Sequence, residues 1–406
     1  MEFTLYGKVF RGDKIIWCVF IALCLISLLE VFSATSTIAY KQQNHWAPMI
    51  RHGVFLLLGF GVVLFLQRVP PRFFSIFILG VIISAILLVL TKSTGASVNG
   101  AQRFLGIGAF TIQPSEFAKI SAVGATAFLL SRMNNENKNL LFKIIIIGLG
   151  VLCALIAPEN LSTALLLFLV CFLMMFIAQV EIKKLAMIIG AGLVFVFMIL
   201  GVLTLLPEST SDGLLGRLDT WKARVERFST EEETEELSME TYRITDDNFQ
   251  VTHAKIAIAN GGVIGLPGSG VQRDFLPQAY SDFIFAIILE EMGLFGGLAV
   301  ILLYVVLMIR CGVLARKSKK KFPRYLILGC ALMLTIQALV NMAVAVNMIP
   351  VTGQPLPLIS RGGTSTIITC VYFGIILACS SKQNVIEHAD VDESLANVDF
   401  GIAENE

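Results

Sequence analysis

Several stretches of this chain place charge or backbone donors in apolar or glycine-rich surroundings, and each suggests a chemistry. In Gln113-Pro-Ser-Glu-Phe-Ala-Lys, Glu116 and Lys119 stand three apart, so on a helix they share a face. They either neutralise one another and tether helices, or form an anion or proton site in which Lys119 holds a phosphate and Glu116 positions it. Arg103, in Asn99-Gly-Ala-Gln-Arg, is a second cation near the same level. Asp282 stands just before a strongly apolar helix, where it or Ser281 could cap backbone N–H groups. The alternative is a general base at a mouth where apolar walls raise a carboxylate's pKa and the helix N-terminus lowers it. Residues 350–363 are rich in proline and glycine and cannot continue a helix. They are expected to form a rigid connection, and Ser360, Arg361, Gly362 and Gly363 at its end could make an anion nest before the next helix.

Glu290 and Glu291 lie eight and nine residues past Asp282, about 12–14 Å deeper on a helix. Adjacent positions point apart, so a two-carboxylate catalytic pair is not expected there. At least one should bond within the bundle, and a proton-relay part stays open for them and for Glu30. Other chemistries lack support. No GxxxxGK[ST] is present, and Gly261, Gly262, Gly265, Gly268 and Gly270 make a poor dinucleotide fingerprint. The histidines His45, His52, His253 and His388 form no HExxH, and the eight cysteines form no CxxC pair, so neither a zinc site nor a disulfide framework is expected. A net charge of +1 gives no basic excess for nucleic acid.

The elements that must position these groups are apolar. Of 406 residues 56% are hydrophobic and only 15% charged, and mean hydropathy is +0.78, too little charge for a soluble surface. The expectation is an all-α polytopic membrane protein with about ten transmembrane helices, near 15–38, 48–66, 73–91, 115–131, 142–157, 161–178, 185–206, 282–309, 325–349 and 363–380. The first span follows Lys8, Arg11, Asp13 and Lys14 without a small-residue cleavage site and is expected to be retained. The fourth and fifth spans are weak by hydropathy and are expected in the interior.

Most Lys and Arg residues of the short connections, including Arg310, Arg316, Lys317, Lys319, Lys320, Lys321 and Arg324, fall on the side of the N-terminus, giving N-in, C-in. The expected organisation is a cytoplasmic N-terminus at 1–14, spans one to seven within 15–206, a large extracytoplasmic loop at 207–281, spans eight to ten within 282–380, and a disordered acidic cytoplasmic tail at 381–406. Within the loop, an acidic cluster at 231–240 is expected to be a solvated helix face. An apolar stretch at 254–266 is too short to span and is expected to re-enter or rest on the membrane.

In order along the chain, Asn-Gly-Ala-Gln-Arg at 99–103, QPSEFAK at 113–119, NGGVIGLPGSG at 260–270, LPQAYSDFIFAIILEEMGLFGG at 276–297 and PVTGQPLPLISRGG at 350–363 resemble the SEDS family of shape, elongation, division and sporulation proteins (FtsW, RodA and SpoVE). Residues 12–17 and the Thr-Gly-Gln-Pro-Leu-Pro-Leu wording look more like its division-type members. Three places depart from the usual wording. Arg361 stands where tyrosine is common, Gln278 where glutamate is common, and Glu159-Asn-Leu-Ser-Thr163 replaces Asp-Leu-Gly-Thr.

The resemblance implies a ten-span peptidoglycan glycosyltransferase of the inner (cytoplasmic) membrane. It would polymerise lipid II onto nascent glycan at the outer face, in septal wall synthesis, and release undecaprenyl pyrophosphate. It makes Asp282 the essential acidic residue, the base for the acceptor 4-hydroxyl, and places Arg103, Glu116 and Lys119 in one cavity. Lys119 and Arg103 would hold the leaving pyrophosphate, with a divalent cation (Mg or Mn) as the expected helper. A class B penicillin-binding transpeptidase and other division proteins are the implied partners, and nucleic acid is not. A lipid II or ion-coupled transporter, or a membrane scaffold, would use the same intramembrane charges differently.

Overall fold

A computed structural model of the chain describes residues 9–34, 47–94, 96–98, 101–107, 110–190, 192, 249–265, 270–272, 275 and 281–381. The second half of the span expected at 185–206, the acidic cluster at 231–240, Gln278 and the tail at 382–406 lie outside the described residues.

In chain order the elements are α1 (Lys14–Ala34), α2 (Ala47–Leu66), a 3-10 turn at Pro71–Ile76 leading into α3 (Phe77–Thr94), β1 (Ala96–Val98), β2 (Ala101–Ile107), β3 (Phe110–Ile112), α4 (Pro114–Ser131), α5 (Lys138–Ile156) and α6 (Leu161–Ile177). Helical residues at 182–190 follow. Then come α7 (Phe249–Gly261), α8 (Ile284–Lys317), α9 (Lys321–Ala345) and α10 (Thr364–Ser381). Among the described residues, 7 helices are long and apolar enough to cross a membrane.

The two weak spans behave differently. On α4 every residue from 118 to 127 is buried. Its charges and small residues lower its hydropathy because it faces protein and not lipid, as expected. Glycines allow the close approach: a Cβ on Gly124 would come within 2.3 Å of the Phe77 ring, and one on Gly329 of α9 within 2.7 Å of Met174 and Val123. The expectation that the fifth span is interior is corrected. α5 buries only the stripe Phe142, Ile145, Leu149, Leu152 and Ile156, a 3-4-3-4 spacing that gives one covered face and leaves the rest outward. It begins at Lys138, before the stretch judged from hydropathy, and so reaches full spanning length.

A second correction concerns the all-helical fold class. Residues 96–112 form a three-stranded antiparallel sheet in the order β1-β2-β3. Val98 pairs with Ala101, and Ile107 with Phe110, so two residues separate the partners at each strand connection. Asn99-Gly100 between the first two strands is the dipeptide such a turn favours, and Phe104, Ile107, Phe110 and Ile112 have strand-forming side chains. The segment is short and lies between two strong spans, which hides its pattern from hydropathy.

Polar contacts gather at the two ends of the bundle. At one end, Asp13 caps α1 by accepting from the N–H groups of Ile15 (3.0 Å) and Ile16 (3.2 Å). Its other carboxylate oxygen takes Arg310 of α8 at 2.6 Å, and its own N–H reaches Ser380 of α10 at 3.1 Å. α1, α8 and α10 are thereby tied together where the Arg316–Arg324 basic run begins. The candidate site is at the opposite end.

α8 is not one regular helix. Gly293 has φ 69 and ψ −171, and glycine tolerates this left-handed backbone. The interruption frees the N–H groups of Leu294 and Phe295, which donate to the carbonyls of Gly262 (3.0 Å) and Val263 (3.3 Å) just past α7. The apolar stretch expected at 254–266 is helical from Phe249 and stops at Gly261, where Gly262 takes φ 58. A Cβ on Gly261 would fall 1.8 Å from the Leu289 carbonyl oxygen, so α7 lies directly on the α8 backbone.

Candidate functional site

α9 is apolar enough to span, yet carries Gln337 and Asn341 one helical turn apart, both buried. An amide in such a place costs several kcal/mol unless its hydrogen bonds are made. The partners come from the 350–363 connection. Gln337 Nε2 donates to the Pro355 carbonyl at 3.0 Å, and Asn341 Nδ2 to the Gln354 carbonyl at 2.7 Å. The Gln354 side chain continues outward to Thr163 Oγ1 at 2.7 Å. Thr163 lies in the first turn of α6, whose N-cap Asn160 accepts from the Thr163 N–H at 3.1 Å. The proline-rich connection is thus a hub bonded to both α6 and α9.

Glu116 and Lys119 form the expected helix-face pair, 2.7 Å apart, with side chains 8% and 0% exposed. Lys119 Nζ also donates to Gln337 Oε1 at 2.8 Å. A fully buried ammonium is tolerable only with such partners. Lys119 therefore reads the position of the 350–363 connection through a single amide.

Asp282 is half-buried at the head of α8. The N-cap of α8 is Phe283, one residue past Asp282. Asp282 Oδ1 accepts from Ser281 Oγ at 2.9 Å. Its main-chain carbonyl accepts from Asn341 Nδ2 at 2.9 Å. Gly353, at φ 65, is placed so that a Cβ there would stand 3.7 Å from Asp282 Oδ2, so the carboxylate faces the 350–363 connection. Ser360 closes the other side. Its hydroxyl donates to the Ser281 carbonyl at 2.6 Å and accepts from the Leu356 N–H at 2.8 Å.

The structure thus brings Glu116, Lys119, Asp282 and Ser360 into one hydrogen-bonded assembly. Arg361, Gly362 and Gly363 follow Ser360 and are half-buried, with Gly363 at φ 54 opening α10. Arg103 lies on β2, separated from the start of α4 by the single strand β3; its side chain falls outside the described residues. Ser27 of α1 donates to the Ile359 carbonyl at 3.0 Å and lies 2.8 Å from His52 Nε2 of α2. The hydroxyl has one proton, so His52 carries its proton on Nε2 and donates it to Ser27. Glu290 and Glu291 serve structure here. Glu290 Oε1 accepts from the N–H groups of Val271 (2.9 Å) and Gln272 (3.0 Å), and Glu291 accepts from Ser33 Oγ of α1. None of the eight cysteines forms a disulfide.

This arrangement can hold an anion near a buried ammonium and present a carboxylate beside it. Residues 13–385 match the family described as Cell cycle protein, FTSW_RODA_SPOVE. The chain belongs to this family. The chain is 30% identical over 382 residues to a probable peptidoglycan glycosyltransferase FtsW of Geobacter sulfurreducens, covering 92% of this chain and 96% of that protein. It is 31% identical over 386 residues to the protein of the same name from Haemophilus influenzae, covering 92% and 91%. Its fold superposes on a chain of a peptidoglycan synthase complex solved to show coordination of polymerization and crosslinking, with TM-score 0.71, 22% identity and coverage of 92% and 98%. The rod shape determining protein RodA of Thermus thermophilus gives TM-score 0.63 at 22% identity, covering 92% and 97%. This FtsW/RodA/SpoVE-family chain is therefore a multi-pass membrane protein of the SEDS type and FtsW-like.

Sequence reasoning missed Gln337, Asn341, Gln354, Thr163 and the Ser27–His52 pair. A signal was present for the first two: amides at i and i+4 in an otherwise apolar span, where a polar side chain without a partner is costly.

Proposed function

We propose that this chain is a peptidoglycan glycosyltransferase that polymerises lipid II at the outer face of the cytoplasmic membrane, in septal wall synthesis. Family membership and the names of its relatives support the activity. The observation that carries the site is that Lys119 and Asp282 are held by amides four residues apart on α9, a rise of about 6 Å. Base and cation thus share one frame at one end of the bundle. The opposite end bears the Asp13–Arg310 pair and the basic run, which supports the orientation with the site outward.

Asp282 takes the proton from the acceptor sugar 4-hydroxyl as that oxygen attacks the donor anomeric carbon. The bond to the donor pyrophosphate breaks, the configuration inverts, and undecaprenyl pyrophosphate leaves with the bonding electrons. Lys119, kept oriented by Glu116 and Gln337, stabilises the charge on the departing phosphate. Arg103, Arg361 and the N–H groups at Gly362 and Gly363 extend the anion-binding side. Among the described residues no three His, Cys, Asp or Glu side chains converge as a cation-binding set, and the steps assigned to this chain's residues do not pass through a divalent cation. A class B penicillin-binding transpeptidase and other division proteins are the partners that fit this activity.

Full-length protein reconstituted with lipid II should make glycan strands, and Asp282→Ala should make none. Strands from the alanine variant would remove Asp282 as base. Lipid II translocation that survives in that variant would favour transport.

A further inference from the structure

The polar network has one side chain whose donors are fully spent on joining two elements of the site. Asn341 has two N–H bonds on Nδ2; one goes to the Asp282 carbonyl at 2.9 Å and the other to the Gln354 carbonyl at 2.7 Å. Rotating the amide would set its oxygen against both carbonyls, so the orientation is fixed by the contacts. Asn341 is 1% exposed, so its amide is shielded from bulk water. From the structure we infer that Asn341 is the positioning residue for Asp282: it locks the main chain of the carboxylate to the same connection that Gln337 joins to Lys119.

Three features single it out. Asp282 stands one residue before Phe283, the N-cap of α8, so its main-chain carbonyl lies outside the helical ladder. The Ser281–Ser360 contact restrains the preceding residue but not the Asp282 carbonyl. Gln337, one turn deeper on α9, makes the equivalent bridge between Lys119 and the Pro355 carbonyl. The two amides therefore set the spacing between the group that receives the proton and the group that receives the phosphate charge. An error of about 1 Å in such a spacing is enough to cost about a hundredfold in rate. Because Asn341 acts through Asp282 and does not touch the reacting atoms, its loss should lower turnover and leave substrate affinity alone.

The inference rests on the glycosyltransferase reading above and is tested in proteoliposomes of the full chain supplied with lipid II. Asn341→Asp keeps the shape and removes both donors; Asn341→Leu does the same without charge. Each should lower kcat by at least about tenfold with KM within about twofold; the two carbonyls left unbonded also lower the unfolding temperature, so rates are compared well below it, on folded protein. Gln337→Glu keeps a partner for Lys119 and loses the Pro355 bond; it should lower kcat by a smaller factor, about threefold, and serves where either Asn341 variant folds poorly. Asp282→Asn should abolish strands. Full kcat in the Asn341 variants beside an inactive Asp282→Asn would overturn the positioning role and leave the base assignment intact. A loss confined to KM would overturn it too. Strands from Asp282→Asn would overturn both.

Discussion

The hydroxyl of Ser360 donates a 2.6 Å hydrogen bond to the main-chain carbonyl of Ser281, the residue next to Asp282. Two segments 79 positions apart in sequence are thereby joined, and the same hydroxyl accepts the Leu356 N–H. Ser360→Ala leaves a buried carbonyl and a buried N–H unbonded. The expected cost is about 1–3 kcal/mol in stability, read by thermal unfolding in detergent, with a fall in strand synthesis. Unchanged synthesis would show that this contact does not set the Asp282 segment.

Removing one member of the buried ion pair should be worse than removing both. Glu116→Gln removes the negative charge facing Lys119 and leaves the buried ammonium with neutral amide acceptors, for an expected loss of about 3–5 kcal/mol. Glu116→Gln with Lys119→Met should recover much of the unfolding temperature and none of the activity. A double variant no more stable than the single one would contradict the pairing as the main cost.

Gly261→Ala tests the seating of α7 on α8. The added methyl would fall 1.8 Å from the Leu289 carbonyl oxygen, backbone against backbone, with no flexible side chain to move. The helices must separate, and the bonds from Leu294 and Phe295 to Gly262 and Val263 lengthen with them. Protease susceptibility near 260–265 should rise sharply; protection equal to wild type would argue against this contact.

At the far end, Glu181 bridges Lys138 (2.8 Å) and Lys184 (3.2 Å) on the exposed surface. The Lys138 hydrogen bond, then that from Lys184, holds its carboxyl below the usual 4.5. A depressed pKa contributes stability that is present above pH 4.5 and lost as pH falls through the folded value. The group is fully exposed, so solvent screens the pair. Glu181→Gln should leave both activity and unfolding temperature at pH 7 near wild type, and flatten the unfolding temperature slightly below pH 4.5. A large change at pH 7 would mean the contact is shielded from water.

Much of this was readable from residue types. Glu116 and Lys119 had to meet because three positions on a helix bring side chains onto one face. The interior place of α4 followed from its low hydropathy. The same logic misled for α5, where the weakness came from reading the helix too late along the chain. The sheet at 96–112 escaped because a few strand residues between long spans barely change a hydropathy average. The links through Gln337, Asn341 and Gln354 join residues far apart in sequence, and no local period encodes which carbonyl an amide will meet. That Phe283 and not Asp282 stands at the N-cap depends on where α8 begins, a boundary one or two residues wide.

The break at Gly293 bears on how the acid is held. Because the backbone ladder of α8 is interrupted there, two of its N–H groups, those of Leu294 and Phe295, are available to residues outside the helix. The joint is stitched by two peptide links to residues 262 and 263, just past the end of α7, so the stretch of helix headed by Asp282 is anchored from the side as well as along its own axis.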